Sequence, residues 1–182
     1  MRWVTLGYHH DWDTKVYSET SKSKVPTYIF DLVKKAAEKL DKPEVLSKRY
    51  TPEACIANLY YPKSTLSAHT DHSEQNYCHP ILSYSIGLPA VFLIGGKCRK
   101  TVPTAVLLEP GDLVIMSEES RLAFHSVPRI LTEKEFPEVC QVYDMADLGS
   151  KEIKDNTEVY EYEQICELLS LARVNINIRQ VF

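Results

Sequence analysis

No stretch of this chain is apolar for the length of a membrane span, so no helical anchor is expected. The opening residues, Met1-Arg2-Trp3-Val4-Thr5, carry no signal-peptide pattern. If the chain is the catalytic piece of a longer protein, that absence says little about targeting. Cys-x-x-Cys pairs are missing, and the five cysteines, Cys55, Cys78, Cys98, Cys140 and Cys166, are an odd number. Both facts argue against a disulfide framework and a structural zinc site, and for a reducing compartment. All five read as buried apolar thiols. A basic excess is also lacking: the formal net charge is −4, which does not advertise a nucleic-acid binder. Neither an internal repeat nor a low-complexity tract occurs. What remains is the composition of one ordinary domain, 182 residues with 44% hydrophobic and 25% charged side chains.

Charge is unevenly spread. Residues 15–49 hold nine Lys or Arg against five Asp or Glu, whereas residues 132–167 hold three against eleven. One segment can face phosphate while the other stays away from it; equally, both can be solvated faces. Residues 28–40 carry one apolar stripe, Ile29, Leu32, Val33, Ala36, Ala37 and Leu40, with Pro26 just ahead and Lys34, Lys35 and Lys39 off the stripe. This predicts a supporting helix within 26–41. Strands are expected at Cys55–Tyr61, Ile81–Ile86, Ala90–Ile94, Thr104–Leu108, Leu113–Met116 and Arg173–Phe182, with a tight turn at Pro110-Gly111-Asp112. Many short strands after one helix predict a mainly β member of the α+β class, a two-sheet jelly roll. Residues 132–172 break the rhythm and read as an insertion before the last strand, helical near Tyr162–Leu171.

The chemistry starts at His69-Thr70-Asp71. In an extended strand, residues i and i+2 share a face, so His69 and Asp71 would project together, with His125 arriving from a facing strand. Two imidazoles and a carboxylate suit Fe(II) and leave positions open for substrate and oxygen. The alternative is a hydrogen-bonded His–Asp pair beside an unrelated histidine. The last strand alternates Arg173, Asn175, Asn177 and Arg179 against Val174, Ile176 and Ile178. Turned inward, the polar face needs an anion, and an arginine fork meets a carboxylate bidentately. Turned outward, it would be an edge strand blunted by charge. Asn58 and Tyr60 share a strand face, although Tyr60 can also be plain core.

In chain order these motifs are Asn58-x-Tyr60, His69-x-Asp71, Ser120-Arg121-x-x-x-His125 and Arg173-x-Asn175-x-x-x-Arg179. Together they resemble the AlkB family of Fe(II)- and 2-oxoglutarate-dependent dioxygenases. The Arg2–Tyr8 opening, Trp12-Asp13-Thr14-Lys15, Ser64-Thr65-Leu66 and the long insertion are most similar to its homologue 1 branch. The resemblance implies a double-stranded β-helix spanning 1–182 as one dioxygenase domain. Residues 1–20 would be a lid that holds a flipped nucleotide, and 50–131 with 173–182 the jelly-roll core. It implies iron on His69, Asp71 and His125, and 2-oxoglutarate on Arg173, Asn58, Tyr60, Asn175 and Arg179, with Arg179 near Asp71. O2 would be the second cosubstrate. Tyr8 and Trp12 would flank the substrate base, whereas Trp3 is expected in the core.

The implied activity is oxidative removal or hydroxylation of a methyl group on a nucleobase, in tRNA or DNA. The expected protein is a monomer free of membranes, inside the cell, in nucleus, cytoplasm or mitochondrion. The sequence departs from the family at two points. Ser73, with Glu74 next to it, stands where the bacterial founder has an acid near the damaged base, and Asn177 replaces a Ser or Thr. His9-His10 is expected to face solvent, and His72 to point away from the metal. Two rivals stay open: a protein demethylase or hydroxylase, such as one acting on histone lysine, built on the same iron core, and a β-barrel binding module without turnover.

Overall fold

In a computed structural model of the chain, residues 2–40, 45–46, 50–137 and 156–182 are described. The strands in chain order are β1 (Arg2–Asp11), β2 (Val16–Lys22), β3 (Ala54–Tyr60), β4 (Leu66–His69), β5 (Ile81–Gly87), β6 (Ala90–Ile94), β7 (Thr104–Leu108), β8 (Leu113–Met116), β9 (His125–Ile130) and β10 (Arg173–Arg179). Helix α1 spans Thr27–Lys39, and helix α2 spans Asn156–Leu171. The strands form a six-stranded sheet, β2-β1-β3-β10-β5-β8, and a four-stranded sheet, β4-β9-β6-β7, with antiparallel pairing throughout. This is the expected jelly roll. Residues 138–155 of the insertion lie outside the described residues, and α2 follows them.

The large sheet has two unlike faces because strand side chains alternate. Cys55, Leu82 and Ile178 pack under Ile29, Val33 and Ala36 of α1. The Tyr84 hydroxyl adds a hydrogen bond to the Leu32 carbonyl at 2.7 Å. Between the sheets lie Tyr60, Ile81, Phe92, Met116, Val127 and Ile130. That interior also receives the polar face of β10, so its arginines do not blunt an edge. Of the thiols expected to be buried, Cys55 is buried, Cys166 is half-buried and Cys140 lies outside the described residues, whereas Cys78 and Cys98 are exposed. Both of these lie in loops, where no second layer covers them.

Residues 2–20 are built mainly as strand. β1 is a full strand of the large sheet, paired with β3 from Arg2↔Leu59 to Gly7↔Ala54. At Gly7, with φ 72°, the chain leaves β3, and a register shift follows between Tyr8 and His10 in the pairing with β2. Beyond it the Asp11 carboxylate accepts N–H bonds from Asp13 and Thr14, which closes the turn into β2. Trp3, expected in the core, is 48% exposed. It packs edge-on against Trp12 at 5.1 Å because the large sheet extends past its partner there.

Candidate metal centre and cosubstrate cavity

A cavity of about 250 Å³ opens between the sheets. His69, Asp71 and His125 meet on its wall, with one ligand atom from each lying within 4.8 Å of the others. Their route there differs from the sequence expectation. β4 ends at His69, so Asp71 is not its strand neighbour. A register shift in β4 pairs Leu66 with Val127 and His69 with His125, which turns Leu66 and His69 alike to the cavity. His125 therefore comes from the adjacent strand of the same sheet, with ring centroids 4.3 Å apart. Asp71 is held from the loop by Arg179, whose Nη2 donates to Oδ2 at 2.9 Å.

Protonation makes this set a cation site. His69 Nδ1 lies 2.9 Å from the Ser67 carbonyl, and His125 Nδ1 lies 3.1 Å from the Ala123 carbonyl. A carbonyl only accepts, so each Nδ1 carries the proton and each Nε2 turns a lone pair inward. The two Nε2 atoms sit 3.7 and 3.8 Å from the Asp71 oxygens, too far for a hydrogen bond. Burial pushes the His125 imidazole below its ordinary value, against the pull of Asp71, and keeps it neutral. Burial also works against the Asp71 carboxylate, but the positive charge around it, the Arg179 guanidinium foremost, outweighs burial and holds the group ionised. Two lone pairs and an anion facing one point fit a transition metal held by nitrogen and oxygen.

The cavity floor is polar. Arg173, 1% exposed, donates to the Ser85 hydroxyl at 2.8 Å. Asn175 donates to the Ser83 hydroxyl at 2.7 Å and the Tyr84 carbonyl at 3.0 Å, and Asn177 donates to Asn175 at 2.8 Å. Asn58 pairs with Asn175 in register and Tyr60 with Arg173, so both line the same floor. Burial pushes the Tyr60 phenol up to about 12, which leaves a neutral donor.

A family model for the 2OG-Fe(II) oxygenase superfamily matches residues 1–179. The chain belongs to this superfamily. Within it the relatives are of the AlkB family. The nucleic acid dioxygenase ALKBH1 of Mus musculus is 36% identical over 100% of this chain and 46% of its own length. The tRNA demethylase abh1 of Schizosaccharomyces pombe is 45% identical over 72% of this chain and 42% of its own. The chain thus spans under half the length of these curated relatives. A solved structure of OsALKBH1 has the same fold, with a TM-score of 0.71 at 24% identity, covering 98% of this chain and 77% of that one. A 2OG-Fe(II) oxygenase uses Fe(II), 2-oxoglutarate and O2, and the histidine–aspartate–histidine set fits that ion.

The mouth of the oxygenase cavity brings surprises. Trp12 lines it, as expected, but Tyr8 does not. Tyr8 packs edge-on against Phe182 at 4.8 Å, with the Lys22 ammonium 5.1 Å from its ring centre. His10, expected in solvent, also lines the cavity. It lies 3.0 Å from the Ser73 hydroxyl and 4.5 Å from the Trp12 ring, and burial pushes it below its ordinary value. Simple alternation from Tyr8 would have hinted at His10 and Trp12 together. The register shift that keeps Tyr8 off their face left no mark in the sequence. His72, expected to point away, lines the mouth because the segment beyond β4 is not a strand. It does not join the metal set.

Proposed function

We propose that this chain is the catalytic domain of an oxidative demethylase or hydroxylase that acts on methylated bases in nucleic acid, with tRNA first and DNA second. The observation that carries the proposal is one cavity with the His69–Asp71–His125 set on its wall, Arg173 on its floor and Trp12 at its mouth. In this reading His69, Asp71 and His125 hold Fe(II). Arg173 meets the distal carboxylate of 2-oxoglutarate, with Asn58, Tyr60 and Asn175 completing the pocket. Arg179 orients Asp71. When bound, iron and cosubstrate supply an oxidation that hydroxylates the methyl group as 2-oxoglutarate is decarboxylated.

The residues of the mouth supply access and aim. A metal this far inside cannot reach a methyl group in a stacked duplex, so the base must be unpaired or extruded. Trp12, 40% exposed, offers a stacking face, and the Lys15 ammonium beside it faces phosphate. The nucleic acid dioxygenase and tRNA demethylase named among the relatives support this substrate class. The hairpin of β1 and β2 serves as the lid within one domain of 1–182. Tyr8 then acts behind the hairpin, not at the base. Free thiols at Cys55, Cys78, Cys98 and Cys166 suit a reducing compartment such as nucleus, cytoplasm or mitochondrion. No helix among the described residues is long and apolar enough to cross a membrane.

Formaldehyde release from a methylated RNA stem-loop, alongside 2-oxoglutarate decarboxylation without substrate, tests the assignment. Trp12→Ala should cut formaldehyde release about fivefold or more, since base stacking contributes about 1–3 kcal/mol, and spare the uncoupled reaction. A methylated peptide processed faster than any oligonucleotide would move the substrate to protein. Complete absence of decarboxylation would leave a binding module.

A further inference from the structure

We propose that Glu74 is a positioning residue for the metal, holding Asp71 in place and cancelling the positive charge that would otherwise surround it. The inference rests on the metal reading above. Asp71 lies beyond the end of β4, so no ladder of backbone bonds fixes it. Two arginines do so instead. Arg179 donates from Nη2 to Asp71 Oδ2 at 2.9 Å, and Arg121 donates from Nη1 to the Asp71 carbonyl at 2.7 Å. Arg121 also ties down the far end of the loop through Nε and the His79 carbonyl at 2.8 Å.

Each guanidinium spends a further nitrogen on Glu74. Arg179 Nη1 reaches Oε1 at 2.6 Å, and Arg121 Nη2 reaches Oε2 at 3.0 Å. Glu74 is 3% exposed, Arg121 2% and Arg179 6%, so water screens little of this. Asp71 and Glu74 against Arg121 and Arg179 sum to zero charge. Without Glu74 the cluster would hold a net positive charge beside the place where a dication sits. Arg179 would then also be free to give its whole fork to Asp71, the carboxylate the ion needs. Glu74 does not line the cavity, so it does not stand in for the acid expected near the base at Ser73. Because Arg121 lies in the 3-10 turn Glu118–Leu122 just before β9, the same cluster couples the Asp71 loop to the strand that carries His125.

Mn(II) binding to the metal-free chain reads this directly, without turnover. Glu74→Gln should weaken Mn(II) binding about 10–100-fold, the usual cost of losing a group that orients a metal ligand. At saturating Mn(II), the electron paramagnetic resonance spectrum of Glu74→Gln should differ in shape from wild type, because Asp71 is no longer held in the same orientation. A purely structural role would lower the amount of folded, metal-binding protein and leave that shape unchanged. Wild-type affinity in Glu74→Gln, or weakened binding with an unchanged spectrum, overturns the proposal. If Glu74→Gln does not fold, Glu74→Asp carries the test. One methylene shorter, it cannot span both guanidiniums and should lose Mn(II) affinity several-fold, so wild-type affinity there overturns it as well. His69→Ala is the control: if it still binds Mn(II) normally, the metal assignment itself fails, whatever Glu74 does.

Discussion

Arg173 is the residue on which cosubstrate binding is most sharply tested. It is almost fully buried, its hydroxyl partner Ser85 is neutral, and it lines the cavity floor. Arg173→Lys keeps the charge and most of the volume but loses the planar fork. A hydrogen bond to a charged group contributes about 1.5–3 kcal/mol, so the 2-oxoglutarate concentration needed for half-maximal decarboxylation should rise about tenfold or more. Mn(II) affinity should change by less than about twofold, because Arg173 bonds to Ser85 and the Leu88 carbonyl, whereas Arg179 is the arginine that holds Asp71. An unchanged 2-oxoglutarate requirement would make Arg173 structural. At this scale the sequence was legible where alternation carries the information: Arg173, Asn175, Asn177 and Arg179 lie together because every second residue of β10 faces inward. It was silent on Glu74, whose partners are distant in the chain and whose carboxylate looks like any surface acid until the fold buries it.

At the scale of elements, the hairpin depends on Gly7. Its φ of 72° is one that side-chain-bearing residues rarely adopt, and an added Cβ would lie 2.0 Å from the Glu53 carbonyl oxygen. That same oxygen accepts the Tyr8 N–H at 2.9 Å, so it cannot move aside without breaking the bond just past the end of the β1–β3 pairing. Gly7→Ala should cost about 1–3 kcal/mol from backbone strain alone, seen as a lower urea midpoint. Because the clash sits where β1 leaves β3, the hairpin tip with His10 and Trp12 should shift. Oligonucleotide turnover should then fall while Mn(II) affinity holds. An unchanged urea midpoint would show that β1 re-routes freely. The sequence announced α1, β6, β7 and β8 through periodicity and turns. It gave no notice of β1 and β2 and little of β4 and β9, where register shifts break alternation and charged or aromatic side chains obscure the strand pattern.

For the whole molecule, the decisive quantity is where positive charge lies relative to the cavity. The basic stretch seen in the sequence includes Lys34, Lys35 and Lys39, all exposed on α1. That helix covers the outer face of the large sheet, against Cys55, Leu82 and Ile178, whereas the cavity opens from the inner face. A strand of nucleic acid entering the cavity meets Lys15 at its mouth and does not meet α1. With a net charge of −4, few phosphates are neutralised, so affinity for a methylated single-stranded oligonucleotide should fall only shallowly with salt. Each phosphate contact on a single strand contributes about 0.7 to the slope of log affinity against log salt. Lys15→Gln should therefore flatten that slope by roughly 0.7. Replacing Lys34, Lys35 and Lys39 together by Gln should leave it where it was, since the helix faces away. The opposite pattern, a slope set by α1 and indifferent to Lys15, would mean that the nucleic acid wraps the outer face, and the lid assigned to the β1–β2 hairpin would have to be abandoned.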